Sequence, residues 1–538
     1  MTANVEQAAA YSILVDGTEV ATEHMNRVKE VRVVDYLRLP DVCTLQVTYP
    51  RGEGVDTHPF EIGKPLEVRL GAPEELMPEL LFKGQIVTLE PEFGAGGCKI
   101  AVRAYDRSHL LTRSRKVRTF QNQTPSDIVE RIVAEADLTA SCDPSPYVFE
   151  FAQQDNETDW DFIWRLAERI GFEFVVDDTV AHVRKPVADA EVELVWPESL
   201  RSLRPRVTAV QQVGEVTLLA HDPKTKQAIE ASAATPEQIA EIGMARDAVT
   251  ESFEPATMHV ATEPVKTQAE GDDLVQALLN KLANGYVAAE GVAAGNPKLK
   301  AGTAVRVSGV GQQFSGTYRI ATSIHVLRGG GSYETHFANM PAQTILGAIG
   351  QNGAGPPRFG SQLVLGVVTN NSDPEDMGRV RVRYPALGDQ AEGAWARVVT
   401  PSAGDGRGLL MLPVVGEEVL VGFEHDDTTR PYVLGSLFNG SDAPGDDLIR
   451  GADGSFALRS DEAIFTESGG DFTIRSGGSL VIEASGDATL EASGPLEIEG
   501  AQTVSISGMA VLELKCGGSS VKLTPAGITI SAPMVSLG

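Results

Sequence analysis

The chain has 538 residues, which is too long for one hydrophobic core and predicts three or four domains. With 42% hydrophobic and 22% charged residues, it has enough apolar side chains for sizeable cores. The formal net charge of −29 excludes a broad nucleic-acid-binding surface, because phosphate contacts need Lys and Arg, and it disfavours binding to anionic membranes.

The cysteines and the N-terminus indicate where the chain is made. Four cysteines lie far apart, at positions 43, 98, 142 and 516, without a CxxC pair or a metal-ligand spacing. The first residues, MTANVEQAAAYSILVDG, lack the basic and long apolar regions of a secretory signal. We therefore expect free thiols and assembly in the cytoplasm without a signal peptide. If the chain ever leaves the cell, we expect that it does not leave as a signal-peptide substrate.

Residues 1–340 are predicted to form one mainly β region built from two related barrels, at about 1–115 and 200–340. In the first, Leu66 and Val68 precede the segment FKGQIV, a glycine pair and a further strand at 98–104. In the second, Val305 and Val307 precede FSGTYRI, a glycine pair and a strand at 332–337. This matched order of features predicts a duplicated barrel, although the residue identity between the two is low.

A helical insert is predicted between the two barrels. Thr124 and Thr158 each stand before an apolar stripe with helical spacing and an acidic residue three positions on, which is a typical helix start. A third helix is predicted around Leu274, Leu278 and Leu282. The basic run Arg113, Arg115, Lys116 and Arg118 is interpreted as a solvated face or a subunit contact rather than a nucleic-acid or lipid site.

Residues 341–360 are rich in Gly and Pro and are predicted to be a linker, followed by a compact β domain at 361–440. Alternation is clear in the segment RVRVRY at 379–384. The further strand candidates are 363–369, 394–399, 408–412, 418–423 and 431–437. Five or six short strands in so short a segment predict a small barrel of the OB type.

After a second linker at 441–455, residues 456–538 repeat with a period of eight. Two columns of residues, two positions apart, are apolar at every place except Thr466: Phe456, Ile464, Phe472, Leu480, Ala488, Leu496, Val504 and Leu512, with Leu458, Thr466, Ile474, Ile482, Leu490, Ile498, Ile506 and Leu514. The residues between the columns include Thr473, Thr489 and Glu497, and glycine recurs in register. Residues i and i+2 share one face of a strand, so each octad predicts one short strand and one corner of a β-helix with an apolar interior.

The period alone leaves open whether one chain coils three octads per turn or three chains wind together. No 24-residue superperiod is visible, which favours equivalent octads from three chains. Further on, the pairs Val521 and Leu523, Ile528 and Ile530, and Val535 and Leu537 follow at a seven-residue step, up to Gly538. We expect these to be the last, tighter rungs of a tapering needle.

Recognisable catalytic chemistry is missing from the sequence. The motifs GxSxG, HExxH, GxxxxGK[ST] and GxGxxG do not occur. The segment Gly309–Gly316 has the wrong spacing for a phosphate loop and is predicted to lead into a strand, and Glu424–Asp427 is interpreted as a hairpin turn rather than a metal site. No catalytic residue, cofactor or metal is therefore expected.

Several segments resemble the parts of contractile injection machines. Residues 80–175, including FKGQIVTLEP and QDNETDWDFIWRLAERIGFEF, resemble the phage late-control D and tail-hub family. Residues 361–440, including LGVVTNNSDPEDMGRVRVRYP, resemble the spike OB domain, and the octads resemble the triangular needle that follows it. The whole is similar to VgrG-like spikes and most similar to those of extracellular phage-tail-like systems.

The resemblance implies a homotrimeric baseplate spike that joins a six-fold inner tube to a membrane-puncturing needle and carries a PAAR-type tip protein. The implied needle core is the apolar set of the two columns, without Ala488, together with Val521, Leu523, Ile528 and Ile530. The implied tip-protein contact is Val535, Leu537 and Gly538. Alternatives are a type VI secretion spike, a contractile phage tail spike and, less favoured, a wall-degrading spike enzyme. Only about fifteen residues separate Gly440 from the first octad, too few for a catalytic domain.

Overall fold

The structure is a computed structural model, and it divides the chain into two compact units, Met1–Gly445 and Asp446–Gly538. It describes residues 9–52, 54–71, 77–145, 147–186, 190–210, 212–222, 225–237, 240–254, 256–260, 265–329, 331–339, 362–387, 392–405, 407–443, 449–450, 457–458, 463–468 and 470–536. The first predicted linker and part of the second lie outside these residues. The mainly β fold class with a few helices is confirmed.

The first part of the larger unit is almost entirely β. Its elements are β1 (Tyr11–Val15), β2 (Thr18–Glu19), α1 (Thr22–Met25), β3 (Val28–Tyr36), β4 (Val42–Tyr49), β5 (Pro65–Leu70), β6 (Glu79–Gly94) and β7 (Gly97–Asp106). Alternate residues of these strands are fully buried, among them Ile13, Leu45 and Val102. This period-two burial is what the apolar alternation in the sequence predicts.

The insert packs two helices against short strands. Its elements are β8 (Arg115–Gln123), α2 (Pro125–Ala134), β9 (Thr139–Cys142), β10 (Phe149–Thr158), α3 (Asp159–Arg169), β11 (Glu173–Asp177) and β12 (Val180–Arg184). Both helix starts are confirmed. The Thr124 hydroxyl accepts from the Asp127 amide at 3.1 Å, and the Thr158 hydroxyl accepts from the Asp161 amide at 3.1 Å. These bonds satisfy backbone donors that have no partner inside the helix.

The second half of the hub returns to β structure. Its elements are β13 (Ala190–Val195), β14 (Leu200–Val207), β15 (Glu215–Asp222), β16 (Gln227–Ala233), β17 (Glu241–Ile242), α4 (Arg246–Thr250), β18 (Thr257–Val260), α5 (Gln268–Asn284), β19 (Val287–Ala294), β20 (Ala304–Ser308), β21 (Gly316–Arg319), β22 (Thr322–Arg328) and β23 (Ser332–Ala338). The third predicted helix is α5, which buries Leu274 and Leu279. The segment from Gly309 leads into β21, as expected for a turn rather than a phosphate loop.

The two β units have matching strand orders and are joined edge to edge. One eleven-stranded sheet runs β14-β19-β23-β22-β3-β4-β7-β6-β5-β1-β2. The strands of the run β14-β19-β23-β22 correspond one to one, in the same order, to those of the run β3-β4-β7-β6. This correspondence is consistent with the matched features in the sequence. The antiparallel pairing of β22 with β3, with Leu327 opposite Val31, joins the two runs. The sequence did not predict this junction, which gives both edge strands a partner.

The predicted OB domain is a closed barrel. Its elements are β24 (Val364–Asn370), β25 (Arg379–Arg383), β26 (Glu392–Val398), β27 (Ala403–Gly404), β28 (Arg407–Gly408), β29 (Glu418–Phe423) and β30 (Pro431–Ser436), and the barrel order is β24-β25-β26-β30-β29. Val380, Val382 and Val421 lie fully buried inside it. The strand expected at 408–412 is wrong beyond Gly408: residues 409–412 are not in a strand, and Leu410 is exposed.

The smaller unit contains the octads. Its strands are β31 (Ile449–Arg450), β32 (Ala457–Leu458), β33 (Leu512–Cys516), β34 (Ser519–Thr524) and β35 (Gly527–Ser531). The first two form a short pair, and the last three form a separate antiparallel sheet. The octads between these two sheets contain the apolar columns that the sequence predicts to be the functional site.

Candidate functional site

The octads are extended segments whose corners recur every eight residues. Bends fall at 477–478, 485–486, 493–494, 501–502 and 509–510. Of the described residues between 463 and 511, none belongs to a strand, so one octad does not pair with another octad of the same chain. A single chain that coils upon itself would show such pairing.

The apolar columns of the octads are uncovered in the single chain. Ile482 is 82% exposed, Leu490 72% and Ile498 63%. Most other column members with large apolar side chains are exposed in the same way: Ile464, Phe472, Ile474, Leu480, Leu496, Val504, Ile506 and Leu514. Leu512 is half-buried. Soluble proteins seldom leave so long an apolar stripe in water, so it marks a surface that another chain covers.

The structure does not describe the side chains of four of the predicted site residues. Phe456, Leu537 and Gly538 lie outside the described residues, and Leu458 is described only as part of β32. Val535 is described and is 50% exposed, in a segment without a strand. The assignment of Val535, Leu537 and Gly538 to a tip-protein contact therefore stays a prediction.

The end of the needle differs from the expected continuation of rungs. Strands β33, β34 and β35 run antiparallel, with Leu514 opposite Val521 and Val521 opposite Ile530. The hairpin between β33 and β34 turns at Gly517, whose φ of +54° suits glycine. The seven-residue step in the sequence therefore corresponds to strands that reverse direction, because two-residue turns join strands of five or six residues.

The barrel carries a second uncovered apolar surface. Leu410 is 77% exposed, Met411 66% and Phe438 67%. Leu363, just before β24, and Leu365, on the outside of β24, are also exposed. The buried barrel core is complete without these side chains.

An Asp–Arg pair fixes the loop between β24 and β25. The Asp373 carboxylate accepts from Arg379 Nη2 at 2.7 Å, from Arg379 Nε at 2.9 Å and from the Met377 amide at 2.9 Å. Burial acts to raise the pKa of Asp373, but these bonds outweigh it and hold the pKa well below its usual value. The carboxylate stays charged, and the loop is held rigidly against the barrel.

A polar joint connects the barrel to the hub within the larger unit. The Arg430 guanidinium, from the turn before β30, donates to the carbonyl of Val265, which is fully buried. Its Nη1 also lies 3.2 Å from Glu424 Oε1. Next to it, Arg169 of α3 and Glu270 of α5 form an ion pair at 2.7 Å. Glu424–Asp427 therefore form the expected turn, and that turn has a role in docking the barrel.

Three carboxyl groups cluster where the two halves of the hub meet. Asp35 accepts from the Ala301 amide at 2.9 Å, and Asp106 accepts from the Ser108 hydroxyl at 2.7 Å. Burial raises the pKa of Asp35 to about 6 and that of Asp106 to about 7. Burial, and then the nearby carboxylates, raise the pKa of Asp41 well above its usual value. The cluster therefore holds protons near neutral pH.

The basic run pairs with acidic groups of the same chain. Lys116 Nζ lies 2.8 Å from a carboxylate oxygen of Asp159 and 3.0 Å from one of Glu135. Arg118 lies 2.8 Å from Glu135 and also pairs with Asp159. Asp159 is the buried first residue of α3, and Glu135 directly follows α2. These two partly exposed cations neutralise carboxylates at the two helix ends.

The structure offers little that could hold a metal or a substrate. Among the described residues, no group of His, Cys, Asp and Glu side chains is arranged to bind a metal ion. A shallow cavity of about 100 Å³ beside the carboxyl cluster is lined by Asp35, Asp41 and Lys300. Within the described part of the chain, no helix has the length and apolar character needed to cross a bilayer.

Two family models match the chain. Residues 6–328, more than half of the sequence, match the Alg8 N-terminal domain, and residues 364–438 match the type VI secretion system/phage-baseplate injector OB domain. The second match spans the closed barrel, whose OB fold is thereby confirmed.

Curated relatives with similar sequences are spike proteins. The type VI secretion system spike protein VgrG1a of Pseudomonas aeruginosa is 24% identical over 456 residues, which cover 74% of this chain and 68% of the relative. VgrG1c of the same organism is 23% identical over 460 residues, and these cover 74% of this chain but only 60% of that relative.

Solved structures share the fold. The 43 kDa tail protein of prophage MuSo2 from Shewanella oneidensis aligns with a TM-score of 0.50 and 16% identity, covering 62% of this chain and 98% of that chain. A chain of the half-lidded Francisella PdpA–VgrG complex aligns with a TM-score of 0.50 and 9% identity, covering 82% of this chain and 80% of that chain.

A two-unit hub sheet, a closed OB barrel and an octad tail, in this order, define a VgrG-like spike protein of contractile injection machinery. The chain belongs to the Alg8 N-terminal domain family, whose model covers its hub. The resemblance seen in the sequence is thus confirmed. Sequence reasoning missed the carboxyl cluster and the Arg430 joint, because no local pattern marks residues that meet only through the fold.

Proposed function

We propose that this protein is a homotrimer at the centre of a baseplate, with a non-enzymatic role. Its hub joins the inner tube, and its octads form a rigid needle that perforates a target membrane when a sheath contracts. The chain works in an injection particle that is released or acts outside the cell. The non-enzymatic role is supported by the relatives, which are named as spike and tail proteins.

The observation that carries this proposal is the uncovered apolar stripe of the octads. Ile482, Leu490 and Ile498 are well over half exposed in one chain, and none of the described residues between 463 and 511 belongs to a strand. Two further copies would supply both missing elements: backbone partners for the extended segments and an apolar interior for the columns. Interlocked strands around a packed interior resist bending, which is the mechanical requirement for a needle.

The hub supports the same symmetry. Each chain carries two β units with matching strand orders, so three chains present six similar units around one axis. Such an arrangement matches a three-fold spike to a six-fold tube. The uncovered apolar surface of the barrel, around Leu410 and Met411, provides a further contact between copies.

Light scattering on the purified full chain tests the trimer. We expect a mass near three times 57.3 kDa. A monomer at micromolar concentration would contradict the proposal, because the octads would then remain uncovered under conditions where they should associate.

We further propose that a separate PAAR-type protein caps the tip at Val535, Leu537 and Gly538. Removal of residues 532–538 leaves the three-stranded sheet of β33–β35 intact, since that sheet ends at Ser531. We expect the truncated trimer to keep its mass and to lose co-purification with the tip protein. Retention of the tip protein by the truncated chain would place its binding site elsewhere.

A type VI secretion spike is the main alternative within this class, and it is supported by the names of the curated relatives. A contractile phage tail spike is supported by the prophage tail protein. Sheath, tube and tail-fibre genes beside the gene for this chain would favour a phage-tail-like particle over a secretion system. A zymogram on peptidoglycan tests the wall-degrading alternative, for which clearing by the purified chain is the positive result.

A further inference from the structure

The octad repeat leaves the alignment of neighbouring chains undefined. If one chain of a trimer slips by eight residues, Ile482 takes the level of Leu490, and Leu490 takes the level of Ile498. Apart from the exchanges that involve Thr466, each exchange replaces one apolar residue of a column by another, and the outward residues remain outward. Register is well specified only where a shift exposes apolar groups, so the columns by themselves cannot select one alignment.

The segment that joins the barrel to the first octad is longer in sequence than one slip of the octads. The residues between the barrel and the first octad, 441–455, outnumber the eight residues of one slip. A non-repeating element at the other end of the octads is therefore needed to set the alignment.

The antiparallel sheet of β33, β34 and β35, here called the tip sheet, is such an element. Residues directly opposite in an antiparallel ladder point to the same face, as do residues i and i+2. One face of the tip sheet therefore carries six apolar side chains in two rows, which are Leu512, Leu523 and Ile528, and Leu514, Val521 and Ile530. The opposite face carries polar residues such as Lys522 and Thr529.

The tip sheet forms both of its strand pairings within one chain. Its two hairpins have turns of two residues, at 517–518 and 525–526, with positive φ at Gly517 and Gly527. Its apolar face nevertheless stays open to solvent: Leu514 is 59% exposed, and Ile528 is 69% exposed. The tip sheet can thus form locally in each chain, and it needs only a side-chain contact to be covered.

We propose that three tip sheets pack their apolar faces against one another and thereby fix the register of the octads. This inference rests on the trimer proposed above. The occupant of each apolar face is the other two copies, because the face continues the inward column of the octads through Leu512 and Leu514. A slip of one octad would withdraw one tip sheet from the other two and leave its six apolar side chains in water.

Distance measurements between spin labels test the register. A label at Glu497→Cys, on the outward side of an octad, is introduced together with Cys142→Ser and Cys516→Ser. Cys43 and Cys98 are buried and are retained. In the trimer with a native tip sheet we expect one narrow distance, since all three labels lie at one level.

The decisive variant is Ile528→Asp, and Thr529→Asp in the same strand is its control on the opposite face. We expect Ile528→Asp to keep the trimer mass but to place at least a third of the label pairs at longer distances. Thr529→Asp should keep the single distance. If Ile528→Asp gives no trimer, Ile528→Ala removes the apolar contact without adding charge, and the same measurement decides.

Three results would overturn the inference or its basis in distinguishable ways. A single distance in trimers of all variants would show that another element sets the register. Unchanged distances with lost capture of a tip protein would show that the apolar face docks that protein instead. A parent chain that is not trimeric would refute the proposed function rather than the role of the tip sheet.

Discussion

Substitution of Leu490 by Asp tests the inward face of the needle directly. Leu490 belongs to the second apolar column, and the adjacent Thr489 lies between the columns on the other side of the extended segment. Leu490→Asp and Thr489→Asp therefore add the same charge to the same octad on opposite faces. In a trimer each substitution acts three times at one level.

The expected effect of Leu490→Asp is large. Because Leu490 is 72% exposed in one chain, most of its side chain is available for burial between chains. Full burial of a leucine contributes about 2 kcal/mol, so three copies lose about 6 kcal/mol. Each new carboxylate must also be protonated or hydrated inside an apolar interior, which costs about 2 kcal/mol or more per copy. The sum, on the order of 12 kcal/mol per trimer, is comparable to the whole stability of a typical domain.

Thermal unfolding followed by circular dichroism, with light scattering for mass, measures this effect. We expect Leu490→Asp to abolish the trimer or to lower its melting temperature strongly. Thr489→Asp should cost at most about 0.5 kcal/mol per copy, as surface substitutions do. Equal losses for the two variants would refute the assignment of faces, and with it the apolar interior of the needle.

Two further predictions concern the hub. The pKa of Asp106, about 7, lies above its ordinary value of 3.8, so the folded state binds the extra proton and this group's contribution to stability falls as pH rises from about 4 to 7. Asp106→Asn cannot lose this proton, so its free energy of unfolding relative to the parent should increase as pH rises from 5 to 8. We expect an increase on the order of 2 kcal/mol, measured by chemical denaturation. A difference that does not change with pH would contradict the protonated cluster. Arg430→Ala removes the donor to the buried carbonyl of Val265 and should destabilise the larger unit by about 1–3 kcal/mol. Arg397→Ala, at an exposed position beside the ring of Tyr432, should cost less.

Local patterns were sufficient for those parts of the fold in which the deciding contacts are close in sequence. The helices after Thr124 and Thr158 begin where their capping residues predict, because each cap and its partner amide are three residues apart. The strands of the barrel also follow from alternation, as in β25. The expectation for 408–412 was wrong because an apolar run does not reveal whether its side chains are buried within the chain or uncovered.

The sequence by itself determined the octads, the barrel strands and the class of the protein, since these depend on repeats and on the spacing of neighbouring residues. Only the tertiary structure decided that β22 pairs with β3, that Asp35 lies beside the segment at Ala301, and that β33–β35 turn back on one another. The first two contacts join residues more than 260 positions apart, and no local periodicity encodes such a pairing. In the third case a seven-residue step suits both a tighter rung and an antiparallel hairpin, and the two differ only in the direction of the next strand.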